Sequence, residues 1–334
     1  MAAACARTAA FALLAVLASG SNPLVPGAGM ADPHIHIFGD TAYLYAGRDQ
    51  SPTDDGFIMP DWNVWTSDDL VAWRHVTTIA PNQTYMGAPD VPECWAVDVV
   101  FRDGVYALFF SNGGNNMGVM TGSTPTLSDV KDALGRPLVS TTRRPVSPAA
   151  SALPGVTVTN LTRGSYDPTL LTDDDGTIFV MFGVRDGGKG GDGPSHYLMA
   201  RLKDDDMAAL AEPPRVVHFL PSAADGSTMP YDDKSTLHKY NGVYYLSAGS
   251  YYATSSGGPY GPFTFRGNAN PHTGQSGAEM NTTRSFGDTS QGHGRFFTWR
   301  GQWYHVWCEF VDQNNQGVPR SKESYHRWRD SWMT

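Results

Sequence analysis

The sequence predicts an all-β protein, a five-bladed β-propeller with four-stranded antiparallel blades around a central channel. Three observations lead to this prediction: a strand–turn–strand pattern, its recurrence at a nearly constant interval, and a composition suited to many tight turns. The chain of 334 residues contains 36 glycines and 23 prolines, the residues that punctuate short strands. A single all-β domain of this length is ordinary.

The repeated unit is a β-hairpin preceded by a polar side chain. In its first copy, Asp32 stands ahead of residues 34–38, whose polar and apolar side chains alternate as in a strand. Gly39 and Asp40 then form a two-residue turn of the kind that favours hairpins. Residues 41–45 are predicted to return as the second strand.

The same unit recurs four more times along the chain. Its leading polar residue is Asp98, Asp167, Asp233 and finally His293, at intervals of 66, 69, 66 and 60 residues. Such a period accommodates about four short strands, which is the content of a propeller blade. If each hairpin supplies the innermost strand of its blade, the five polar residues lie at the same end of the channel. The sequence therefore predicts a funnel lined by four acids and one imidazole.

The outer strands of each blade follow its hairpin. The first blade is completed by residues 61–76, the second extends over 93–125, the third over 165–202, and the fourth over 232–265. The fifth begins at His293 and is followed by only 41 residues. Either the closure of this last blade is unusual or the C-terminus is truncated.

Charge and composition exclude several classes of partner. The net charge of −9 argues against nucleic acids and other anionic polymers. The glycine-rich residues 187–193 lack the Lys-Ser/Thr ending of a phosphate-binding loop. The chain has 9 tryptophans, 15 tyrosines and 15 phenylalanines; we expect most to pack between blades and some to stack on sugar rings.

The N-terminus carries the features of an export signal. Residues 1–21 are predicted to be a secretory signal peptide, which would leave residues 22–334 as the propeller domain. A single arginine precedes a short apolar run at residues 9–18, and small residues follow it. Because no run is long enough to span a bilayer, we expect no membrane association after the signal is removed.

The glycosylation sequons and the cysteines are compatible with export from the cell. Glycosylation sequons begin at Asn82, Asn160 and Asn281, so we expect a secreted glycoprotein. An oxidising compartment would permit a bridge between Cys94 and Cys308. Two separate buried thiols are the favoured prediction, because spacing in the sequence does not bring their Cα atoms together.

A funnel of separated carboxylates suits the hydrolysis of glycosides. One acid protonates the leaving oxygen, and a carboxylate on the opposite face activates water. In inverting enzymes the two groups lie about 6.5–9.5 Å apart, which leaves room for that water. A third carboxylate near the acid raises its pKa by like-charge repulsion.

Several motifs occur together in one order and spacing. They are Ala31-Asp32-Pro33, Trp95-Ala96-Val97-Asp98, Tyr166-Asp167-Pro168, the run from His238 to Leu246, Tyr260-Gly261-Pro262-Phe263, and Gly292-His293-Gly294. In these motifs the chain resembles glycoside hydrolase family 43, the five-bladed β-propeller arabinofuranosidases, xylosidases and arabinanases. The resemblance implies a carbohydrate substrate and no organic cofactor, and we expect a monomer.

The resemblance also implies roles for individual residues. Asp32 would be the general base, and Asp167 would orient the acid and tune its pKa. His293 would line the channel and touch a central cation, commonly calcium in this family, although imidazole is an unusual direct ligand for that ion. Trp95, Asp98, Arg284 and His293 are placed among the residues that contact the substrate.

One departure from the family affects the general acid. The family has a glutamate where this chain has Asp233, with Asp232 as its neighbour. Aspartate is one methylene shorter, and a geometric error of that size is costly in rate. Lys234 next to it would lower the pKa of the acid, which opposes proton donation.

Three hypotheses follow from these residues. The first is an inverting hydrolase of arabinose- or xylose-containing glycans, with Asp32 as base and Asp233 as acid. The second is a non-catalytic carbohydrate-binding propeller that has lost the acid. The third is a propeller hydrolase for another sugar, such as galactan or agar oligosaccharides, with a different acid.

Overall fold

The structure is a computed structural model. It describes residues 24–25, 28–50, 58–90, 93–114, 116–140, 163–185, 196–231, 234–249, 251–268, 294–308 and 324–327. The predicted signal peptide and the sequons at Asn160 and Asn281 lie outside these residues. Asn82 is exposed, within a short 3-10 helix at Pro81–Gln83.

The described strands form five sheets, and consecutive strands are usually neighbours. The first sheet holds β1 (Met30–Phe38), β2 (Thr41–Arg48), β3 (Trp62–Ser67) and β4 (Arg74–Ile79). The second holds β5 (Cys94–Arg102), β6 (Val105–Asn112), β7 (Asn116–Gly122), β8 (Lys131–Asp132) and β9 (Val139–Ser140). The third holds β10 (Arg163–Thr172), β11 (Ile178–Arg185), β12 (His196–Arg201) and β13 (Arg215–Val216).

The last two sheets complete the set. The fourth holds β14 (Phe219–Leu220), β15 (Ser235–Tyr240), β16 (Val243–Ala248), β17 (Tyr251–Ser255) and β18 (Phe263–Asn268). The fifth holds β19 (Gly294–Trp299), β20 (Gln302–Trp307) and β21 (Ser324–Arg327). Strand numbers therefore vary from three to five among the described residues, instead of four in every sheet. One pairing, β14 with β18, is parallel.

The innermost strands of the five sheets form a closed ring. Strand β1 contacts β5, β5 contacts β10, β10 contacts β15, β15 contacts β19, and β19 returns to β1. Sheets arranged in this way surround a common axis. The all-β propeller predicted from the repeat is confirmed, and the fifth sheet closes directly on the first.

Tight turns make the hairpins compact. Asp103 and Gly104 both have positive φ, at 50° and 84°, and so do Asn241 and Gly242, at 48° and 76°. Two-residue turns with this geometry match the right-handed twist of paired strands. The predicted hairpins at these positions therefore follow from local sequence.

The core lies between neighbouring sheets. Trp62 of the first sheet packs on Phe110 of the second, with ring centroids 4.9 Å apart. Phe297 and Trp299 of the fifth sheet are buried with Leu44 of the first. Cys94 and Cys308 are both buried and no disulfide joins them, as favoured from the sequence. No helix in the described part of the chain is both apolar and long enough to cross a bilayer.

Candidate active site

Asp32 and Asp167 occupy matching irregularities in innermost strands. In β1, Ala31 pairs with Gly47 and His34 with Tyr45, so Asp32 and Pro33 form a β-bulge. In β10 the same break lies between Tyr166 and Thr169, and it contains Asp167 and Pro168. A bulge re-aims the side chain that it carries. Two Asp-Pro pairs are therefore presented in the same way to the channel.

The backbone at both acids is left-handed. Asp32 has φ 52° and Asp167 has φ 55°. Aspartate tolerates this region better than most residues, but the conformation costs about 1–3 kcal/mol and occurs where the surroundings enforce it. The amide of Asp167 donates a hydrogen bond to Ser111 Oγ at 2.6 Å, which is one such constraint.

The second sheet has its own bulge, but Asp98 is not in it. Cys94 pairs with Asn112 and Val97 with Phe110, so the bulge contains Trp95 and Ala96. Trp95 therefore corresponds in strand position to Asp32 and Asp167, and Asp98 lies three residues further on. The expected register of Asp98 with the other acids is wrong, because sequence spacing to the turn does not count the bulge.

Asp98 is instead a buried hub, and one oxygen faces the first sheet. Its side chain is 0% exposed. His34 Nδ1 lies 2.8 Å from Oδ1, and His36 Nε2 lies 2.6 Å from the same oxygen. The amide of Val99 donates to it at 2.7 Å.

The other oxygen of Asp98 ties the third and fifth sheets to this point. It accepts hydrogen bonds from Arg295 Nη1 at 2.9 Å, from the Leu170 amide at 2.6 Å, and from Thr169 Oγ1 at 3.3 Å. With donors on both oxygens, the carboxylate is saturated by the protein. This geometry offers no atom of Asp98 for the expected contact with substrate.

The charges of the hub follow from burial and partners. Burial alone would raise the pKa of Asp98, but the pull of His34, Arg295 and His36 outweighs it and holds the pKa well below its usual range. Burial lowers the pKa of His34 to about 3 despite the nearby carboxylate. Burial also lowers the pKa of His36, and the Arg295 guanidinium adds to this. Near neutral pH the two imidazoles are therefore neutral beside an ionised Asp98, and His36 Nε2 is hydrogen-bonded to that carboxylate at 2.6 Å.

Lys234 is a buried cation that interacts with residues of several sheets. Its side chain is fully buried, and Nζ donates a hydrogen bond to the carbonyl of Pro168. Burial lowers the pKa of Lys234, against the opposing pull of the Asp98, Asp167 and Asp32 carboxylates. The charges of three acids from three different sheets therefore act on one ammonium group.

Glu93 is a further acid close to these strands. It directly precedes β5 and is half-buried, and burial raises its pKa. Its carboxylate packs against Gly113, where a Cβ would come within 2.0 Å of Oε2. A raised pKa is the property that proton donation requires, so Glu93 is a second candidate acid.

Three predicted site residues lie outside the described residues. They are Asp233, Arg284 and His293. Asp233 directly precedes Lys234 in the sequence, whereas Arg284 and His293 fall in the segment before β19.

His34, His36 and Asp98 do not by themselves suit the calcium ion that the family resemblance implies beside His293. Among the described residues, His34, His36 and Asp98 are the group whose ligand atoms lie within 4.8 Å of one another. Calcium prefers six to eight oxygen ligands. This group supplies a single carboxylate, which already accepts hydrogen bonds from the protein.

Sequence reasoning missed several members of the site. His34 and His36 were read only as strand residues, and Arg295 was not singled out. Alternation along the innermost strand was the available signal: His34 and His36 are two apart, so they share a face of β1. Arg295 carries no such signal, because its role depends on a carboxylate 197 residues away.

Comparisons with known proteins find relatives among xylosidases and arabinofuranohydrolases. A xylosidase/arabinosidase from Bacteroides ovatus is 30% identical over 284 residues, which is 73% of this chain and 79% of the relative. An arabinoxylan arabinofuranohydrolase from Paenibacillus polymyxa is 27% identical over 358 residues. That alignment spans 94% of this chain but only half of the longer relative.

A solved structure shares the fold. The crystal structure of a GH43 β-xylosidase/α-arabinofuranosidase from a compost microbial metagenome, bound to xylotriose in a calcium-free form, matches with a TM-score of 0.65. The match covers 93% of this chain and 94% of that one at 22% identity. The model of the family described as "Glycosyl hydrolases family 43" matches residues 21–327. The chain therefore belongs to glycosyl hydrolase family 43.

Proposed function

We propose that this protein is an inverting glycosidase of the arabinofuranosidase or xylosidase type, acting on glycans that contain arabinose or xylose. The observation that carries the proposal is the pair of left-handed Asp-Pro bulges at Asp32 and Asp167, two acids whose charges act on one buried lysine. Family membership and the names of the relatives support the substrate class.

In this proposal Asp32 is the general base. It takes a proton from a water molecule as that water attacks the anomeric carbon, and the glycosidic oxygen leaves with a proton from the acid. Asp167 stays ionised and orients the acid. Asp233 is the proposed proton donor because it stands where the family resemblance places a glutamate acid, and Glu93 is the alternative, since its pKa is raised by burial.

The remaining expectations are also proposals. We propose that residues 1–21 direct export, that residues 22–334 form the catalytic propeller, and that the enzyme acts outside the cell as a monomer. Arg284 and His293 are retained as proposed substrate contacts, and His293 as the proposed neighbour of a channel calcium. If bound, that ion would add positive charge at the base of the funnel.

The direct test is a panel of aryl glycosides and natural arabinoxylan, arabinan and xylan oligosaccharides. We expect turnover of an arabinofuranoside or a xyloside, and proton NMR should show release of the sugar with inverted anomeric configuration. Retention of configuration would contradict the roles of Asp32 and the acid. Turnover confined to galactan or agar oligosaccharides would contradict the substrate class.

A non-catalytic carbohydrate-binding propeller is the second candidate. It is favoured by the sequence, in which Lys234 follows Asp233, because a positive charge beside an acid opposes its protonation. Calorimetry with the same oligosaccharides separates the two: binding without any turnover supports the second candidate. If the protein is active, Asp233→Ala should harm glycosides with poor leaving groups most, because these need the proton.

A further inference from the structure

Lys234 is fully buried, which is unusual for a lysine side chain. It immediately precedes β15, and its side chain reaches the innermost strand of the neighbouring sheet, where it is fully buried. A buried lysine is costly unless it is paired and hydrogen-bonded. Its partners here are the Pro168 carbonyl and the surrounding carboxylates.

We propose that Lys234 is a positioning residue for hydrolysis: it holds the Asp167-Pro168 bulge in its left-handed conformation and supplies a positive charge that acts on both Asp32 and Asp167. This inference rests on the proposed function. It assigns to Lys234 a role through Asp167 and Asp32, without contact with the sugar.

The hydrogen bonds at the bulge support the first half of the proposal. Ser111 accepts the amide hydrogen of Asp167, and Lys234 donates to the carbonyl of Pro168. Proline has no amide hydrogen, so its carbonyl is the only backbone hydrogen-bonding group by which it can be held. The strained residue is therefore fixed from both sides.

The charges support the second half. The charged groups that act on Lys234 are Asp98, Asp167, Asp32 and Arg295. Arg295 binds Asp98 directly at 2.9 Å, whereas Asp32 and Asp167 both attract the positive charge of Lys234. A carboxylate that loses the attraction of a nearby cation is easier to protonate.

The test compares Lys234→Met, which keeps chain length and removes the charge, with Lys234→Arg and with Lys239→Met. Lys239 lies in β15, the strand that Lys234 precedes, but it pairs with Asp173 and Asp174 at 2.5 and 2.7 Å and is partly exposed. On an aryl glycoside that the wild type cleaves, we expect Lys234→Met to lower kcat about 100-fold with KM nearly unchanged. Lys234→Arg should recover part of kcat, and Lys239→Met should keep wild-type values.

Two results would overturn the proposal. The first is wild-type kcat in a folded Lys234→Met protein. The second is a loss in Lys234→Met that Lys234→Arg does not recover, although both proteins melt at the wild-type temperature.

A crystal structure of Lys234→Met gives a readout that does not need turnover. We expect the Pro168 carbonyl to rotate and Asp167 to leave the left-handed region. An unchanged bulge would refute the positioning role even if the wild type cleaves no glycoside. An inactive wild type with a relaxed bulge in the variant would refute the proposed function alone. If Lys234→Met does not fold, kcat and the crystal structure of Lys234→Arg are measured instead. The proposal then requires that Lys234→Arg keeps both the bulge and part of kcat.

Discussion

Asp98 and Asp167 lie in neighbouring innermost strands, and both are buried, yet the protein holds them in different ways. Asp98 has ordinary strand geometry and receives donors from three other strands. Asp167 sits in a left-handed bulge, with its backbone fixed by Ser111 and Lys234. A carboxylate that accepts all its hydrogen bonds from the protein stabilises the fold. Backbone strain, in contrast, is found mainly at residues that act on a ligand. The difference separates a structural acid from candidate catalytic acids that look alike in the sequence.

The largest effect is expected at Asp32. Replacement by asparagine keeps the size of the side chain and removes the base, so kcat on an aryl arabinofuranoside or xyloside should fall about 10³- to 10⁴-fold. The thermal midpoint should remain close to that of the wild type, because the bulge is preserved. Undiminished turnover would refute the assignment of the base.

Asp98 should give the opposite result. Asp98→Ala leaves Arg295 without its buried partner, so we expect a loss of about 3–5 kcal/mol in the free energy of unfolding, measured by urea titration. The exposed Asp204 provides the control: Asp204→Ala removes ion pairs at 3.7 and 3.9 Å and should cost less than about 1 kcal/mol. A stable Asp98→Ala protein that has lost only activity would place Asp98 among the catalytic acids.

Buried histidines should make stability depend on pH. Burial lowers the pKa of His238 to about 3, and the ring stacks on Tyr245 at 5.0 Å. Below about pH 6.5 the unfolded chain binds a proton that the native state excludes. Stability is therefore complete above that pH and declines as the pH falls towards 3.

His238→Phe should reduce by one the number of protons that the unfolded chain binds in excess of the native state. We expect the slope of unfolding free energy against pH to fall by about 1.4 kcal/mol per unit within the window. Tyr245→Phe alters the same stack without removing a group that titrates there, so its slope should match the wild type. An unchanged slope in His238→Phe would mean that the native histidine already carries the proton.

The smallest effect is expected at Ser111, which fixes the amide of Asp167. Ser111→Ala should cost about 1 kcal/mol of stability and lower kcat while KM is kept. Ser255 is the matched control, since it is also buried and accepts an amide hydrogen bond, from Gly257 at 3.1 Å. If Ser111→Ala and Ser255→Ala both keep wild-type kcat, the bulge does not need the serine.

The repeat and its turns could be read from the sequence because they depend on neighbouring residues. Asn241-Gly242 and Asp103-Gly104 specify tight turns through their own backbone preferences, and alternation marks the strands beside them. The acids Asp32 and Asp167 could be selected for the same reason, since each starts a hairpin. For Asp98 the repeat predicts the same strand position as for Asp32 and Asp167. That prediction is wrong because the bulge of β5 lies at Trp95 and Ala96, and no residue pattern in the sequence indicates it.

The sequence by itself determined the all-β class, the five hairpins and the positions of Asp32 and Asp167 at the start of theirs, because strand periodicity and turn chemistry are local. Only the tertiary structure decided that Asp98 is enclosed by His34, His36 and Arg295, and that Lys234 reaches the Pro168 carbonyl. Those contacts join residues up to 197 positions apart. They form only when the ring of innermost strands closes, since closure removes water and makes each buried charge depend on partners from other sheets.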